Sequence, residues 1–304
     1  MCVLRVRRKI TFALAALSLW LIPAAATAET LVLGSVNENI RKHLEHFAPL
    51  AVYLEEVLAE DGITDVEVSV LPDSDSMALA LQSGDVDLYF DSPLVAARVA
   101  RLSGAEPFLR RWKDGVAEYH AMFVVRADSP FETLDDLQGA VVGFQEPDST
   151  SGFMLPAAML KTTGLHIRDV SADEHSVDES EVGYIFTGHD RNTVASLARG
   201  TIDAGATDPR GLEWLEAARP GEYRVLARSI NVPRQIVVRR GDLNLVIAGR
   251  VSFVLQDMAN SVAGKQTMML FNETTRFDPF PLGVEATFGP IYERLDQLEQ
   301  LGVM

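Results

Sequence analysis

Two spacings alternate along most of the chain. Short apolar runs at residues 30–36, 66–71, 86–90, 120–125 and 140–144 predict strands. Between them, apolar residues recur at helical intervals over 41–58, 76–82, 94–101, 154–161 and 193–199. Strands alternating with helices predict an α/β fold whose sheets are mostly parallel and flanked by helices. The acidic, polar stretch 169–181 breaks the rhythm and predicts a surface loop.

One internal similarity organises the rest. The stretches ALQSGDVDLYFDSP (80–93) and SLARGTIDAGATDP (196–209) share a layout: a helix end, a glycine, a short strand with a central aspartate, and an acidic-proline turn. Gly84 matches Gly200, Asp87 matches Asp203 and Pro93 matches Pro209, all at an offset of 116. One element used twice predicts two lobes facing each other across a cleft, with ligand at the carboxyl ends of the strands. Residues 119–130 and 229–240 then serve as two crossings, a hinge. The expected division is 29–120 with 237–304 as lobe I and 121–236 as lobe II.

The first 28 residues stand apart. Arg5, Arg7, Arg8 and Lys9 precede a short apolar run, and Ala26-Thr27-Ala28 supplies a small-residue site, as in a cleavable secretory signal peptide ending near Ala28. Export to the periplasm is the expectation. Residues 1–28 hold four of the 27 basic residues and none of the 43 acidic ones, so their removal takes the formal net charge from −16 to −20. So acidic a chain excludes nucleic acid as a partner attracted by general field. The single cysteine, Cys2, leaves with the signal. No disulfide, thiol nucleophile or cysteine-metal cluster is expected to remain.

Candidate chemistry concentrates in the second half. Asp148-Ser149-Thr150-Ser151-Gly152 falls between a strand and a helix predicted to start near Ser151. Free backbone N–H groups at a helix start favour an anion, and three hydroxyls add donors. A lone serine or threonine there reads equally as an N-cap. Gly152 is expected to let a ligand oxygen approach the backbone. Thr187 and Asp190 fit a capping pattern, so a second helix should begin near His189 and bring that imidazole to the same anion. Ser149 or Ser151 with His189 is a nucleophile and base on paper, but G-x-S-x-G is absent, as are the H-E-x-x-H, P-loop and dinucleotide motifs. His43 and His46 share a helix face without a clear third ligand, so no metal or cofactor is expected.

Three stretches, RADSPFETLDDLQGAVVGFQEPDSTSGFMLP, FTGHDRNTVASLARGTIDAGA and YRVLARSINVPRQIVVR, carry a resemblance. Together they resemble the periplasmic solute-binding proteins of phosphate, phosphite and phosphonate ABC transporters. The likeness extends from LVLGSVNEN to FDPFPL. It implies a two-lobed type II periplasmic-binding fold without catalysis. The implied ligand is a small oxyanion gripped by Ser149, Thr150, Ser151 and His189, with Asp203 near the pocket, and the implied partner is an inner-membrane permease served by a monomeric receptor. Asp203 has its twin in Asp87, so a role in the fold is equally open. The chain departs from the family at Phe47, where a pocket tyrosine is common, at Ala96, near another, and at Asp91, beside Ser92, where a neutral residue is usual. Two hydroxyls lost and a carboxylate gained imply a different oxyanion, or a ligand that also carries a positive group. The alternatives are a receptor feeding a sensor kinase and a secreted phosphoester or phosphonate hydrolase.

Overall fold

The computed structural model describes residues 29–37, 39–170 and 177–302. The expected signal segment and residues 171–176 of the expected loop lie outside them. Strand β1 (Glu29–Val36) is followed by α1 (Ile40–Leu58), β2 (Ile63–Leu71), α2 (Ser74–Ser83), β3 (Leu88–Asp91), α3 (Pro93–Ser103) and β4 (Glu106–Lys113). The short strand β5 (Glu118–Tyr119) leads to β6 (Met122–Arg126), β7 (Val141–Phe144), α4 (Leu155–Thr162), β8 (His166–Asp169), β9 (Glu181–Phe186), α5 (Asp190–Arg199), β10 (Ala204–Thr207), α6 (Pro209–Ala218) and β11 (Tyr223–Arg228). After β12 (Val232–Pro233), the chain ends with β13 (Gln235–Arg239), α7 (Leu245–Asp257), α8 (Val262–Leu270), β14 (Thr274–Asp278) and α9 (Val284–Leu301).

These strands form two six-stranded sheets, ordered β14-β4-β13-β3-β1-β2 and β11-β6-β10-β7-β9-β8. Five consecutive strands of each follow one plan. β2, β1 and β3 correspond to β9, β7 and β10, an antiparallel strand, β13 or β6, sits next to β3 or β10, and β4 or β11 pairs antiparallel with it in turn. β5 and β12 pair with each other, Val232 opposite Tyr119, so the two crossings form one small ribbon between the sheets.

The internal repeat is physical. Asp87 accepts a hydrogen bond from the Val32 N–H at 2.7 Å, and Asp203 accepts one from the Val141 N–H at 2.8 Å. Each aspartate thereby ties its strand to the neighbouring parallel strand. Gly84 and Gly200 both stop their helices in the left-handed region, φ +84° and +72°. Two residues beyond Val32 and Val141 stand Gly34 and Gly143, where a Cβ would come 2.7 Å from Val86 and 2.4 Å from Ile202. Both strands therefore need glycine to let side chains lie close against the backbone.

Apolar burial joins the halves. Helix α9 lies against both α3 and α4, and its Phe288, Ile291 and Leu295 share one core with Leu94 and Val95 of α3 and Phe153 and Leu155 beside α4. A second core fills the α1, α7 and α8 side of the first sheet.

Candidate functional site

A cleft of about 230 Å³ opens at the carboxyl ends of β3, β7 and β10. Ser92 and Asp91 approach it from the first sheet, and Gln145, Ser149, Thr150 and Ser151 from the turn after β7. Asp190 begins α5, Asp208 and Arg210 begin α6, and Tyr119 and Arg234 come from the two crossings.

The Ser-Thr-Ser turn is built tightly. Ser149 is the N-cap: its hydroxyl accepts from the Gly152 N–H at 3.1 Å and donates to Gln145 Oε1 at 2.9 Å. The N–H groups of Phe153 and Met154 both converge on the Ser149 carbonyl. Residues Thr150–Met154 form a π-helical turn, a wide turn often found at functional positions. A Cβ on Gly152 would fall 2.2 Å from the Gln145 side chain. The glycine is thus required by Gln145, and the space expected for a ligand oxygen is filled.

What remains is a set of hydroxyls drawn from both halves of the chain. Thr150 Oγ1 accepts from the Leu94 N–H of α3 at 3.4 Å, which joins the turn to the first half. The Tyr119 hydroxyl interacts with those of Ser151 and Thr150. Burial pushes the Tyr119 phenol up, which keeps it a neutral donor, while Arg234, its guanidinium 4.5 Å from the ring centroid, pulls the other way. Ser92 is the N-cap residue of α3 but makes no cap bond, and its buried Oγ has no partner. An unpaired buried hydroxyl costs free energy, so this donor is set for something that enters the cleft. Asp91 is raised by burial, against the hydrogen bonds from Tyr89 Oη and, at 2.5 Å, from the Ser92 N–H.

Three expected site residues stand elsewhere. Phe47 is 2% exposed in the core under α1, edge-on to Phe271 at 4.7 Å and Phe90 at 5.6 Å. Its helix turns that face toward the sheet because Phe47, Leu50, Ala51, Leu54 and Leu58 form one apolar stripe. Phe47→Tyr is therefore expected to bury a hydroxyl at a cost of about 1–3 kcal/mol in denaturant unfolding, with the order of ligand affinities unchanged. Asp203 precedes β10, whereas Asp208, five residues on, lines the cleft. At ~3.3 Å per residue these sit roughly 16 Å apart, at opposite ends of the strand. His189 caps α5 with its side chain 63% exposed and Nδ1 2.6 Å from Asp190, so Asp190 rather than the imidazole faces the cleft. Nor does Thr187 cap this helix; its hydroxyl donates to the Phe144 carbonyl at 2.8 Å. The paper dyad of Ser149 or Ser151 with His189 does not assemble. His43 Nδ1 is 2.8 Å from Ser35 Oγ, and among the described residues no group of three or more His, Cys, Asp or Glu could hold a metal ion.

Sequence reasoning missed Tyr119, Gln145, Arg210 and Arg234. A signal existed for two of them: Arg210 directly follows the repeated proline at 209, and Arg234 follows Pro233 inside a predicted crossing.

Residues 37–281 match the family described as ABC transporter, phosphonate, periplasmic substrate-binding protein. The chain belongs to this family. Among curated members, it is 31% identical to the phosphate-import protein PhnD of Mycolicibacterium smegmatis over 193 residues, 60% of this chain and 57% of that one. It is 23% identical to the phosphonates-binding periplasmic protein of Escherichia coli over 239 residues, 75% of this chain and 66% of that one. The chain thus spans less than two thirds of either relative. Among solved structures, XAC2383 from Xanthomonas citri bound to ATP superimposes with a TM-score of 0.77 at 27% identity, covering 90% of this chain and 98% of that one. PhnD1 from Prochlorococcus marinus in complex with methylphosphonate gives 0.61 at 17% identity, covering 91% and 100%, a likeness of fold. The fold is thus the type II periplasmic-binding architecture, two mixed sheets flanked by helices.

Proposed function

We propose that this phosphonate-family binding protein captures a small phosphorus oxyanion in the cleft and delivers it, as a monomer, to an ABC permease in the inner membrane. Residues 1–28 would direct its export and be removed near Ala28. One observation carries the reading: hydroxyls of Ser92, Tyr119, Thr150 and Ser151, from both halves of the chain, gather beside the Arg234 guanidinium. Neutral donors and one nearby cation can pair every oxygen of a tetrahedral anion. Hydrogen bonds to a charged group contribute about 1.5–3 kcal/mol each. The surface charge of −20 acts from farther away and is screened beyond ~8 Å at physiological salt. The names and titles of the relatives differ in ligand (phosphate, phosphonates, methylphosphonate, ATP), yet each carries a phosphorus oxyanion. On this reading the protein is a receptor that releases its guest unchanged.

Calorimetry on refolded, ligand-stripped protein tests this. Saturable one-to-one binding of phosphate, phosphite or methylphosphonate without turnover is expected. Binding of none of these, or release of product from a phosphoester, would overturn the reading.

A further inference from the structure

Strand β4 treats its two arginines differently. Arg110 points to one face and is fully partnered: Nε and Nη2 donate to Asp278 at 2.9 and 2.8 Å, and Nη1 to Glu118 at 2.6 Å. Trp112, on the same face by the two-residue period, donates to Asp278 as well. The opposite face carries Arg111 and Lys113. Arg111 is 4% exposed and lies over the Phe271 ring at 4.8 Å. One Nη donates to Gln235 at 3.2 Å, and its buried Nε has no partner. Neither Arg111, Lys113 nor Arg234 forms an ion pair with a carboxylate among the described residues. Gln235 stands opposite Arg111 and directly follows Arg234, and the cations act on one another: Lys113 lies in the field of Arg111, Arg234 and Arg210, countered by Glu273, and Arg111 in that of Arg234, countered by Asp91. The same field reaches His43 in the first turn of α1, whose charge is disfavoured by burial first and then by His46, Lys42, Arg111 and Lys113.

Natural proteins rarely bury a cation without a partner, since desolvation costs several kcal/mol per ion. Arg111 is such a cation, half-buried Lys113 and Arg234 add to it without a carboxylate of their own, and Arg234 and Arg210 line the cleft. The cleft, about 230 Å³, has room for more than a single five-atom oxyanion.

We propose that the cleft continues into a second anion subsite formed by Arg111, Lys113 and Arg234, with Arg210 at its edge, so that the preferred guest carries two anionic groups. This rests on the oxyanion reading above. The hydroxyl cluster takes one group, Arg111 and Lys113 take the other, a phosphate, phosphonate or carboxylate joined to the first by a short bridge, and Arg234 stands between the two. The second anion supplies the charge that the fold withholds.

The test compares methylphosphonate with methylenediphosphonate, which shares its first group and adds a second. Calorimetry on the stripped full-length mature protein is expected to give binding at least ten-fold tighter for the diphosphonate. Lys113→Met and Arg111→Met each remove most of that advantage while leaving methylphosphonate affinity within about three-fold. Arg111→Met is also expected to raise the melting temperature of the ligand-free protein, since an unpaired buried cation is replaced by an apolar chain of similar length. Lys113→Met, at a partly exposed position, keeps the test open if the Arg111 variant fails to fold. Methylphosphonate bound as tightly as the diphosphonate, or an advantage that survives both substitutions, would overturn the second subsite alone. A protein that binds neither compound overturns the oxyanion reading and the subsite with it.

The ammonium also gives the subsite a pH signature. Burial first, then Arg111 and Arg234, lower Lys113 to about 8. Below that pH the free protein already holds the cation. Above it, binding must take up a proton, and the diphosphonate advantage should decline as pH rises from about 8. Stability of the ligand-free protein should move oppositely: the unfolded lysine binds more protons between pH 8 and about 10.4, so this group's contribution to stability rises with pH across that window. An advantage that is flat from pH 7 to 10 would contradict the role of Lys113.

Discussion

Asp87→Ala should lower the unfolding free energy by about 3 kcal/mol or more, and Asp203→Ala by only about 1 kcal/mol. Both aspartates do the same job, each accepting an N–H of the neighbouring parallel strand two residues before its glycine. Their surroundings differ. Asp87 is 4% exposed and also accepts from Arg240 Nε at 2.6 Å. Its removal takes the acceptor from the half-buried Val32 N–H and strips a guanidinium of its inner partner, leaving, among the described residues, the exposed Asp242. Asp203 is exposed and, among the described residues, forms no ion pair, so its removal strands no cation. Urea unfolding of the two variants checks the ratio, and equal losses would mean that burial does not distinguish them. Because both residues stand at the amino ends of their strands, neither change should alter oxyanion affinity by more than a few-fold.

The second large effect is on binding. Ser151→Ala is expected to weaken oxyanion affinity about 10- to 150-fold, the equivalent of one charge-assisted hydrogen bond at about 1.5–3 kcal/mol. The ligand-free melting temperature should change little in that variant, whereas Thr150→Val should add a comparable loss of affinity and also lower the melting temperature, because the buried Leu94 N–H loses its acceptor. Ser149→Ala divides its effect differently. Its hydroxyl is occupied by Gln145 and the Gly152 N–H, so cap loss should cost about 1 kcal/mol of stability. Calorimetry with thermal unfolding of each variant separates the two roles. If Ser149→Ala left stability untouched and abolished binding, the assignment of Ser149 as the structural member of the turn would fail.

Much of the architecture was legible because it repeats. The offset of 116 between Asp87 and Asp203 marks equivalent strands, β3 and β10, and helix-stopping glycines confirm it at Gly84 and Gly200. The further match of Gly34 with Gly143 was there to be read, but a lone glycine in an apolar run says little until the side chain above it is known. The site was less legible, for a definite reason. Motifs on one continuous turn, such as Ser149 to Ser151, are local, and their strand-to-helix position follows from pattern. Tyr119 and Arg234 reach the cleft because two crossings pair as a ribbon, and no spacing within either segment encodes that pairing. His189 failed the opposite way. The local sequence put it correctly at a helix start, but an N-cap side chain folds back on its own first turn, here onto Asp190. The hydroxyl counted as lost at Phe47 has a counterpart in Tyr119, contributed from the crossing instead of from α1.

A crystal structure of the mature protein grown with methylphosphonate tests the central claim most directly. The expected result is one phosphonate group within hydrogen-bonding distance of Ser92, Tyr119, Thr150 and Ser151, with Arg234 beside it. A phosphonate held at the exposed His189 turn, or bound with all four hydroxyls out of reach, would contradict the account.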